Sequence, residues 1–219
     1  MKGFQVAGAH TDVGKTFVAC ALLRAARVKG LSVSALKPVV SGFNGRDWAD
    51  SDPGQLITAM GQPLTPRRLE DVSPLRFPAP LSPPMAARRE GRTVRLDDLL
   101  AVCRPWLAAG DAAFGILETA GGVMSPIAED GLCLDLMMQV PLPILLVGGA
   151  YLGAISHNLT ALSVLNGAGL TVEAMVVSES ADPEAPDYDE TVEALRQWSR
   201  GVRVVEARRN DEAWAAGLV

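Results

Sequence analysis

Short apolar segments alternate with longer amphipathic segments along most of the chain. The segments 112–117 and 143–148 are almost continuously apolar, as is typical of parallel strands that are buried on both faces. The longer segments repeat apolar residues at helical spacing, and Gly30 marks the end of the first of them. This alternation predicts an α/β fold with a doubly wound, mainly parallel sheet.

The same pattern gives approximate bounds for each element. Strands are predicted over 4–7, 31–36, 112–117, 143–148, 170–177 and 202–206. Helices are predicted over 17–27, 52–60, 85–90, 96–109, 131–139, 158–165 and 188–198, followed by a helical tail. The proline-rich stretch 63–84 is interpreted as an irregular excursion within the domain.

Composition narrows the class of protein. A length of 219 residues predicts one domain over 1–219, and a net charge of −5 argues against a nucleic-acid partner. No apolar run reaches membrane-spanning length, and the early strand leaves no room for a signal peptide. The three cysteines, Cys20, Cys103 and Cys133, are widely spaced, which predicts free core thiols in a cytoplasmic protein.

A glycine-rich turn separates the first strand from the first helix. It reads Gly8-Ala9-His10-Thr11-Asp12-Val13-Gly14-Lys15-Thr16. Backbone N–H groups at a helix start attract phosphate, Lys15 adds a positive charge, and the Thr16 hydroxyl can bind Mg²⁺. The first glycine of the motif is Gly8, which stands one position earlier than usual. Ala9 occupies the position where that glycine is ordinarily found. The sequence therefore predicts a nucleotide site of the phosphate-loop nucleoside triphosphate hydrolase type.

Other polar residues follow predicted strands, where open α/β sheets bind ligands. Lys37 follows the second strand, where it is expected to support no core, although a solvated lysine is an open alternative. Glu118 is expected at the tip of the third strand as a carboxylate near Mg²⁺, or as a cap for the glycines after it. Ser51 or Asp52 is expected to cap the next helix, which is the commoner use of such residues. Small residues over 149–157 predict another helix start that binds an anion.

Taken in order, these residues resemble the family of dethiobiotin synthetases. The family carries Gly-Thr-Asp-Thr-x-Val-Gly-Lys-Thr at the first loop, so the early glycine is a family trait. The further matches cover roughly residues 4–165: Lys37-Pro38-Val39 with Ser41-Gly42, Ser51-Asp52, Ser82-Pro83, Glu118 with Ala120-Gly121-Gly122, and Leu152-Gly153 with Ile155 and His157. No catalytic role is assigned to His157.

The resemblance implies a role for each matching position. Lys15 and Lys37 would be catalytic, and Thr16, Asp52 and Glu118 would hold Mg²⁺. The implied nucleotide-binding residues are Asp12, Val13, Gly14, Lys15, Thr16, Phe17, Asp52, Glu118, Gly121, Ser178 and Glu179. The implied substrate-binding residues are Thr11, Lys37, Ser41, Ser82, Gly153, Ala154, Ile155, Ser156 and Tyr188.

The resemblance also implies a reaction. With ATP and Mg²⁺, 7,8-diaminononanoate would take up CO₂ as a carbamate, be phosphorylated, and close a ureido ring to give dethiobiotin. A homodimer is implied, in which the helix start at 153–156 of one subunit holds the substrate carboxylate of the other.

Some positions depart from the family. Ser178-Glu179 replaces an Asn-Asp pair, Asp12 replaces Glu, and Ser156 replaces Asn. An asparagine amide presents a fixed donor and a fixed acceptor, whereas the Ser178 hydroxyl can adapt to either role and an ionised Glu179 only accepts, so we expect loose selectivity for the base of the nucleotide. The alternative function is a deviant phosphate-loop switch ATPase, which would need a lysine where His10 stands.

Overall fold

The structure is a computed structural model that describes residues 1–46 and 48–219. Its strands are β1 Lys2–Gly8, β2 Val33–Leu36, β3 Val39–Ser41, β4 Leu75–Phe77, β5 Phe114–Gly122, β6 Pro126–Ala128, β7 Gly131–Leu132, β8 Ile144–Gly149, β9 Val172–Ser178 and β10 Val204–Ala207. Its helices are α1 Lys15–Val28, α2 Asp52–Ala59, α3 Pro66–Val72, α4 Pro83–Arg89, α5 Leu96–Ala108, α6 Cys133–Gln139, α7 Ala154–Gly167 and α8 Tyr188–Trp198.

Six parallel strands form the central sheet in the order β10-β9-β8-β1-β5-β2. Successive residues of β1 point to opposite faces, so that Val6 joins one apolar core and Ala7 joins the other. Helices α1 to α3 cover the face of Val6, while α4 to α8 cover the face of Ala7. The predicted fold class is therefore confirmed.

Several element bounds differ from the prediction. Helix α1 begins at Lys15 because Gly14 adopts the left-handed conformation, φ 88°, in which it caps the helix. Helix α7 likewise begins earlier than predicted, after Gly153 with φ 91°. Strand β5 continues to Gly122, so Glu118 lies within the strand and not at its tip. Strand pairing extends β5 beyond its apolar segment.

The stretch 63–84 is not irregular, which corrects the prediction. It contains α3 and β4. Strand β4 pairs in parallel with β3, which begins shortly after Lys37 in the chain. A short second sheet therefore lies beside the carboxyl end of β2. The predicted helical tail is a single 3₁₀ turn, Ala213–Gly217, packed against α1.

The three cysteines are buried and form no disulfide within the described residues. Burial raises the pKa of each thiol to about 12. Across the part of the chain described, no helix is both long and apolar enough to span a bilayer.

A buried glutamine joins β1 to the segment that enters β8. The Gln5 side-chain nitrogen lies 2.9–3.1 Å from the carbonyl oxygens of Met137, Val140 and Leu142, which share its two N–H donors. Met137 and Val140 also accept backbone hydrogen bonds, from the N–H groups of Val140 and Leu142, whereas Gln5 is the donor to Leu142. Gln5 thereby fixes where the chain turns from α6 into the neighbouring strand of the sheet.

We expect Gln5→Leu to lower the free energy of unfolding by about 1 kcal/mol, because it removes the donor to the Leu142 carbonyl oxygen and the second donor near Met137 and Val140. Urea denaturation would measure the change. The matched control is Gln197→Leu on the exposed face of α8, which should change the midpoint very little. Equal midpoints for the two variants would show that this hydrogen-bond cluster contributes nothing.

Candidate active site

The glycine-rich loop is held against the carboxyl edge of the sheet by close backbone contacts. A Cβ atom on Gly8 would lie 2.7 Å from the carbonyl oxygen of His10 and 3.0 Å from that of Gly121. Gly8 also accepts a hydrogen bond of 2.9 Å from the Val123 N–H. Only glycine fits this packing, and the loop therefore delivers the N–H groups at the start of α1 to the edge of the sheet.

Lys15, the first residue of α1, points into this loop. Its side chain is only 7% exposed, and its ammonium lies 3.4 Å from the His10 carbonyl oxygen. Burial and the nearby charge of Lys37 lower the pKa of Lys15 below its ordinary value. A bound anion would counteract both the burial and the repulsion and would raise the pKa of Lys15, because an opposite charge favours the charged form of a lysine.

Lys37 joins two carboxylates beneath the loop. Its ammonium lies 2.5 Å from Glu118 Oε1 and 2.7 Å from Asp52 Oδ2. The Thr16 hydroxyl donates a 2.7 Å hydrogen bond to the same oxygen of Glu118. Four residues from separate elements therefore meet at one point. Ser51 caps α2, accepting from the Gly54 N–H, which leaves Asp52 to face this cluster.

The charges of this cluster support one another. Burial alone would lower the pKa of Lys37, but Glu118 and Asp52 raise it above its ordinary value. Burial likewise opposes the charge of Asp52, yet Lys37 lowers the pKa of that carboxyl. Lys37 is 3% exposed and Glu118 is 0% exposed. The expectation that Lys37 supports no core is therefore wrong, because it neutralises a buried carboxylate.

The cluster has the chemistry of a magnesium site. Thr16, Asp52 and Glu118 present hydroxyl and carboxylate oxygens, which are the ligands that Mg²⁺ prefers. Glu118 Oε2 is buried and has no hydrogen-bond partner among the described residues. A buried carboxylate oxygen without a partner is unfavourable unless a cation or donor completes it. The residues present therefore fit the ion.

A cavity of about 350 Å³ opens over the cluster, and we call it the phosphate cavity. It brings together most of the positions that the resemblance marks for triphosphate, Mg²⁺ and the reacting nitrogens. Its lining is Thr11, Asp12, Gly14, Lys15, Thr16, Lys37, Val40, Ser41, Asp52, Glu118, Ala120 and Gly121.

A second cavity of about 350 Å³ adjoins it, sharing Asp12 and Gly14. Its other walls are Val13 and the segments after β8, β9 and β10: Gly149, Ala150, Tyr151, Ser178, Glu179, Ser180, Ala181, Asp182 and Arg209. We call it the base cavity. It contains both residues of the Ser178-Glu179 pair.

The remaining implied residues lie outside the two cavities. Phe17 packs beside Trp214, with ring centroids 6.3 Å apart. Ser82 caps α4, and its buried hydroxyl has no partner among the described residues. Gly153, Ala154, Ile155 and Ser156 start α7, as the implied anion site requires, but they do not line either cavity of their own chain.

The Tyr188 hydroxyl is occupied by hydrogen bonds within the protein, which corrects the prediction that Tyr188 binds substrate. The hydroxyl donates to the Val177 carbonyl oxygen at 2.8 Å and accepts from the Ala207 N–H at 3.0 Å. It therefore bridges β9 and β10. Burial raises the pKa of this phenol to about 12. A buried hydroxyl with donor and acceptor both satisfied is unavailable to a ligand.

Sequence reasoning missed a cluster of rings beside the loop. The His10 and His157 rings stack with centroids 5.5 Å apart, and the Tyr151 hydroxyl lies 2.8 Å from His157 Nδ1. It also missed Ser125, whose hydroxyl accepts from the Gly122 N–H at 2.9 Å. His10 and His157 are the only histidines in the chain. This scarcity is the one feature of the sequence that could have linked the two residues.

This geometry defines the class: an α/β nucleotide-binding protein with a phosphate-binding loop at the carboxyl edge of a parallel sheet. Residues 2–207 match the family described as "AAA domain". The fold resembles the MinC:MinD cell division protein complex of Aquifex aeolicus with a TM-score of 0.57 and 9% identity, covering 99% of this chain and 86% of the other. At that identity the likeness shows the fold alone.

Sequence relatives are much closer. The chain is 57% identical to the ATP-dependent dethiobiotin synthetase BioD of Phenylobacterium zucineum, covering 100% of this chain and 94% of the relative. It is 52% identical to that of Caulobacter vibrioides strain NA1000, covering 99% and 96%. The chain belongs to the family of ATP-dependent dethiobiotin synthetases. The resemblance read from the motifs is confirmed, and the switch ATPase is not favoured.

We expect Lys37→Met to lower the free energy of unfolding by about 3 kcal/mol, because it leaves the Glu118 carboxylate buried without its cation. Adding Glu118→Gln should recover much of that loss, since the buried charge is then gone. Urea denaturation of both variants tests the pair. Lys2→Met, at an exposed lysine, is the matched control. If Lys37→Met is as stable as the Lys2→Met control, the buried ion pair does not stabilise the fold.

Proposed function

We propose that this protein converts 7,8-diaminononanoate, CO₂ and ATP into dethiobiotin, ADP and phosphate, with Mg²⁺, as the ligase of biotin biosynthesis. The observation that carries the proposal is the cluster of Lys15, Lys37, Thr16, Asp52 and Glu118 in a chain 57% identical, over its whole length, to a relative of that name. We infer that the chain acts as one domain. Its three free thiols support work in the cytoplasm.

The chemistry needs charge neutralisation more than a protein nucleophile. One amine of the substrate adds to CO₂ and loses a proton to give a carbamate anion. A carbamate oxygen then attacks the γ-phosphorus, and ADP leaves. The second amine attacks the carbonyl carbon and loses a proton, and phosphate leaves as the ring closes. Each attack brings an electron-rich group to a crowded anionic or acyl centre, so alignment and positive charge supply the catalysis.

Lys15 and Lys37 provide fixed positive charge on the two sides of the phosphate cavity. Lys15 would hold the terminal phosphates, together with the loop N–H groups. Lys37 would face the carbamate, beside Ser41 and Thr11. Bound Mg²⁺ would neutralise phosphate charge as an electrophile, with Thr16, Asp52 and Glu118 as its protein ligands. Because the lysines are nearly buried, their charge acts through little water, which strengthens it.

We further propose a homodimer in which each substrate site draws on both subunits. Apolar side chains that a monomer rarely exposes surround the start of α7: Leu152 is 89% exposed and Met124 is 52% exposed. Gly153 to Ser156 start α7 and do not line their own chain's phosphate cavity. A carboxylate held at this helix start would belong to substrate in the partner's site.

Activity is tested by incubating the protein with diaminononanoate, bicarbonate and Mg-ATP and detecting dethiobiotin by mass. We expect product from the natural protein, and less than about a tenth of its turnover from Lys15→Ala, because the lost charge faces the transferring phosphoryl group. Lys2→Ala should match the natural protein. No product from the natural protein, or full turnover by Lys15→Ala, would refute the proposal.

The shared site is tested by mixing two inactive variants, Lys15→Ala and Ser156→Asp. The second places a negative charge where the substrate carboxylate would bind, while an acidic residue in the first turn suits a helix. Random exchange should restore about a quarter of natural activity, because half of the dimers are hybrids and each hybrid has one intact site. No recovery after exchange would place the whole site within one subunit.

A further inference from the structure

Residues 120–125 comprise the end of β5 and the turn after it, and we call them the β5 turn. Ala120 and Gly121 of this turn form part of the wall of the phosphate cavity. Gly121 has a φ of 73°, a conformation that glycine adopts freely and that strains other residues. Gly121 and the adjacent Gly122 have no side chains that could anchor the peptide unit between them. Neighbouring residues must therefore hold this part of the backbone in place.

Cys133, the first residue of α6, holds the two ends of the β5 turn. Its N–H donates a 2.9 Å hydrogen bond to the Ser125 carbonyl oxygen, and its thiol donates to the Ala120 carbonyl oxygen at 2.8 Å. Both ends of the turn are therefore attached to the start of a helix. The middle of the turn, at Gly121 and Gly122, depends on a different contact.

The Ser125 hydroxyl holds the middle of the turn. It accepts a 2.9 Å hydrogen bond from the Gly122 N–H, which belongs to the peptide unit that joins Gly121 to Gly122. The Ser125 N–H donates in return to the Gly122 carbonyl oxygen at 2.9 Å, which closes the turn. Gly122 is buried, so its N–H would be costly to leave without an acceptor. One hydroxyl therefore sets the orientation of this peptide unit.

The same peptide unit is packed between Ser125 and the phosphate-binding loop. A Cβ atom on Gly121 would lie 2.7 Å from Ser125 Oγ, which is too close for a side chain. A Cβ atom on Gly122 would lie 3.2 Å from the Ala9 carbonyl oxygen, which is tight. The two glycines thus have a close neighbour on each side. A change at the Ser125 hydroxyl would therefore move the wall of the phosphate cavity at Gly121.

We propose that Ser125 is a positioning residue for phosphoryl transfer. This inference rests on the proposed function, in which the γ-phosphoryl group of ATP lies in the phosphate cavity. Ser125 is not among the described residues that line this cavity, so it acts through Gly121 and does not touch ATP. The resemblance gives Gly121 a contact with nucleotide and gives Ser125 no role. Small displacements of groups that align the reacting atoms slow a reaction strongly, so loss of the hydroxyl slows the transfer.

Ser125→Ala tests the proposal because it removes the hydroxyl and little else. We expect kcat for dethiobiotin formation to fall about tenfold, with KM for ATP and for diaminononanoate unchanged within about twofold. KM should hold because the contacts of Lys15 and the loop N–H groups with ATP do not involve Ser125. An unchanged kcat, expressed per folded protein from circular dichroism, would overturn the proposal.

Two variants of nearly equal shape show whether the hydroxyl itself is needed. Ser125→Thr keeps the hydroxyl, whereas Ser125→Val has a methyl group in its place. We expect kcat of the threonine variant to exceed that of the valine variant by about tenfold. Equal values would overturn the proposal, because packing alone would then explain the effect at this position. The comparison holds even if Ser125→Ala does not fold.

Ser32→Ala is the matched control. The Ser32 hydroxyl also accepts a 2.9 Å hydrogen bond from a backbone N–H, that of Ala113, but at the amino end of β5. The control therefore loses a bond of the same kind at the opposite end of the strand. Its kcat should stay within about twofold of the natural value. A loss equal to that of Ser125→Ala would overturn the proposal in favour of a general loosening of the sheet.

A single turnover of bound ATP locates the affected step. Rapid quenching should show that Ser125→Ala slows ADP formation about tenfold in the first turnover, before product release can limit the rate. ADP formed at the natural rate with dethiobiotin delayed would assign the effect to ring closure and overturn the proposal. Natural turnover by Ser125→Ala refutes this inference alone. No dethiobiotin from the natural protein refutes the proposed function and this inference together.

Discussion

The buried ammonium of Lys37 connects the parts of this site. It lies between Glu118 of β5 and Asp52 of α2, and it follows β2 directly in the chain. Backbone pairing already joins β2 to β5, and the ammonium adds the link from these strands to α2. A fully buried carboxylate is tolerated only with a cation beside it. The same lysine also lines the phosphate cavity.

Close backbone packing is the second constraint. Gly8, Gly14 and Gly121 allow the first loop, the end of β5 and the segment after β9 to approach within contact distance. This packing places the start of α1 over Lys37 and Glu118, so the loop and the oxygens of Thr16, Asp52 and Glu118 face one cavity. Preorganised dipoles and charges of this kind need little rearrangement during phosphoryl transfer. Stability and chemistry thus rely on the same few contacts.

Sequence patterns predicted the sheet and most of the phosphate cavity, and they failed where contacts between distant segments decide structure. Periodicity found the six strands of the sheet because each contributes apolar residues to the two cores. It missed β3 and β4 because strands of three residues carry no usable period. The motif placed Lys15 and Thr16 correctly at the cavity. Tyr188 was misassigned because sequence does not show that β9 and β10 already occupy its hydroxyl.

The sequence by itself determined the parallel α/β fold, the phosphate-binding loop and the family, since each depends on local spacing or on the identity of matching residues. Only the tertiary structure decided which of those residues are free to act. Hydrogen bonds and ion pairs between segments far apart in the chain engage Lys37, Glu179 and Tyr188 in three different ways. Such pairings follow from the packing of whole elements, which no local pattern of residues encodes.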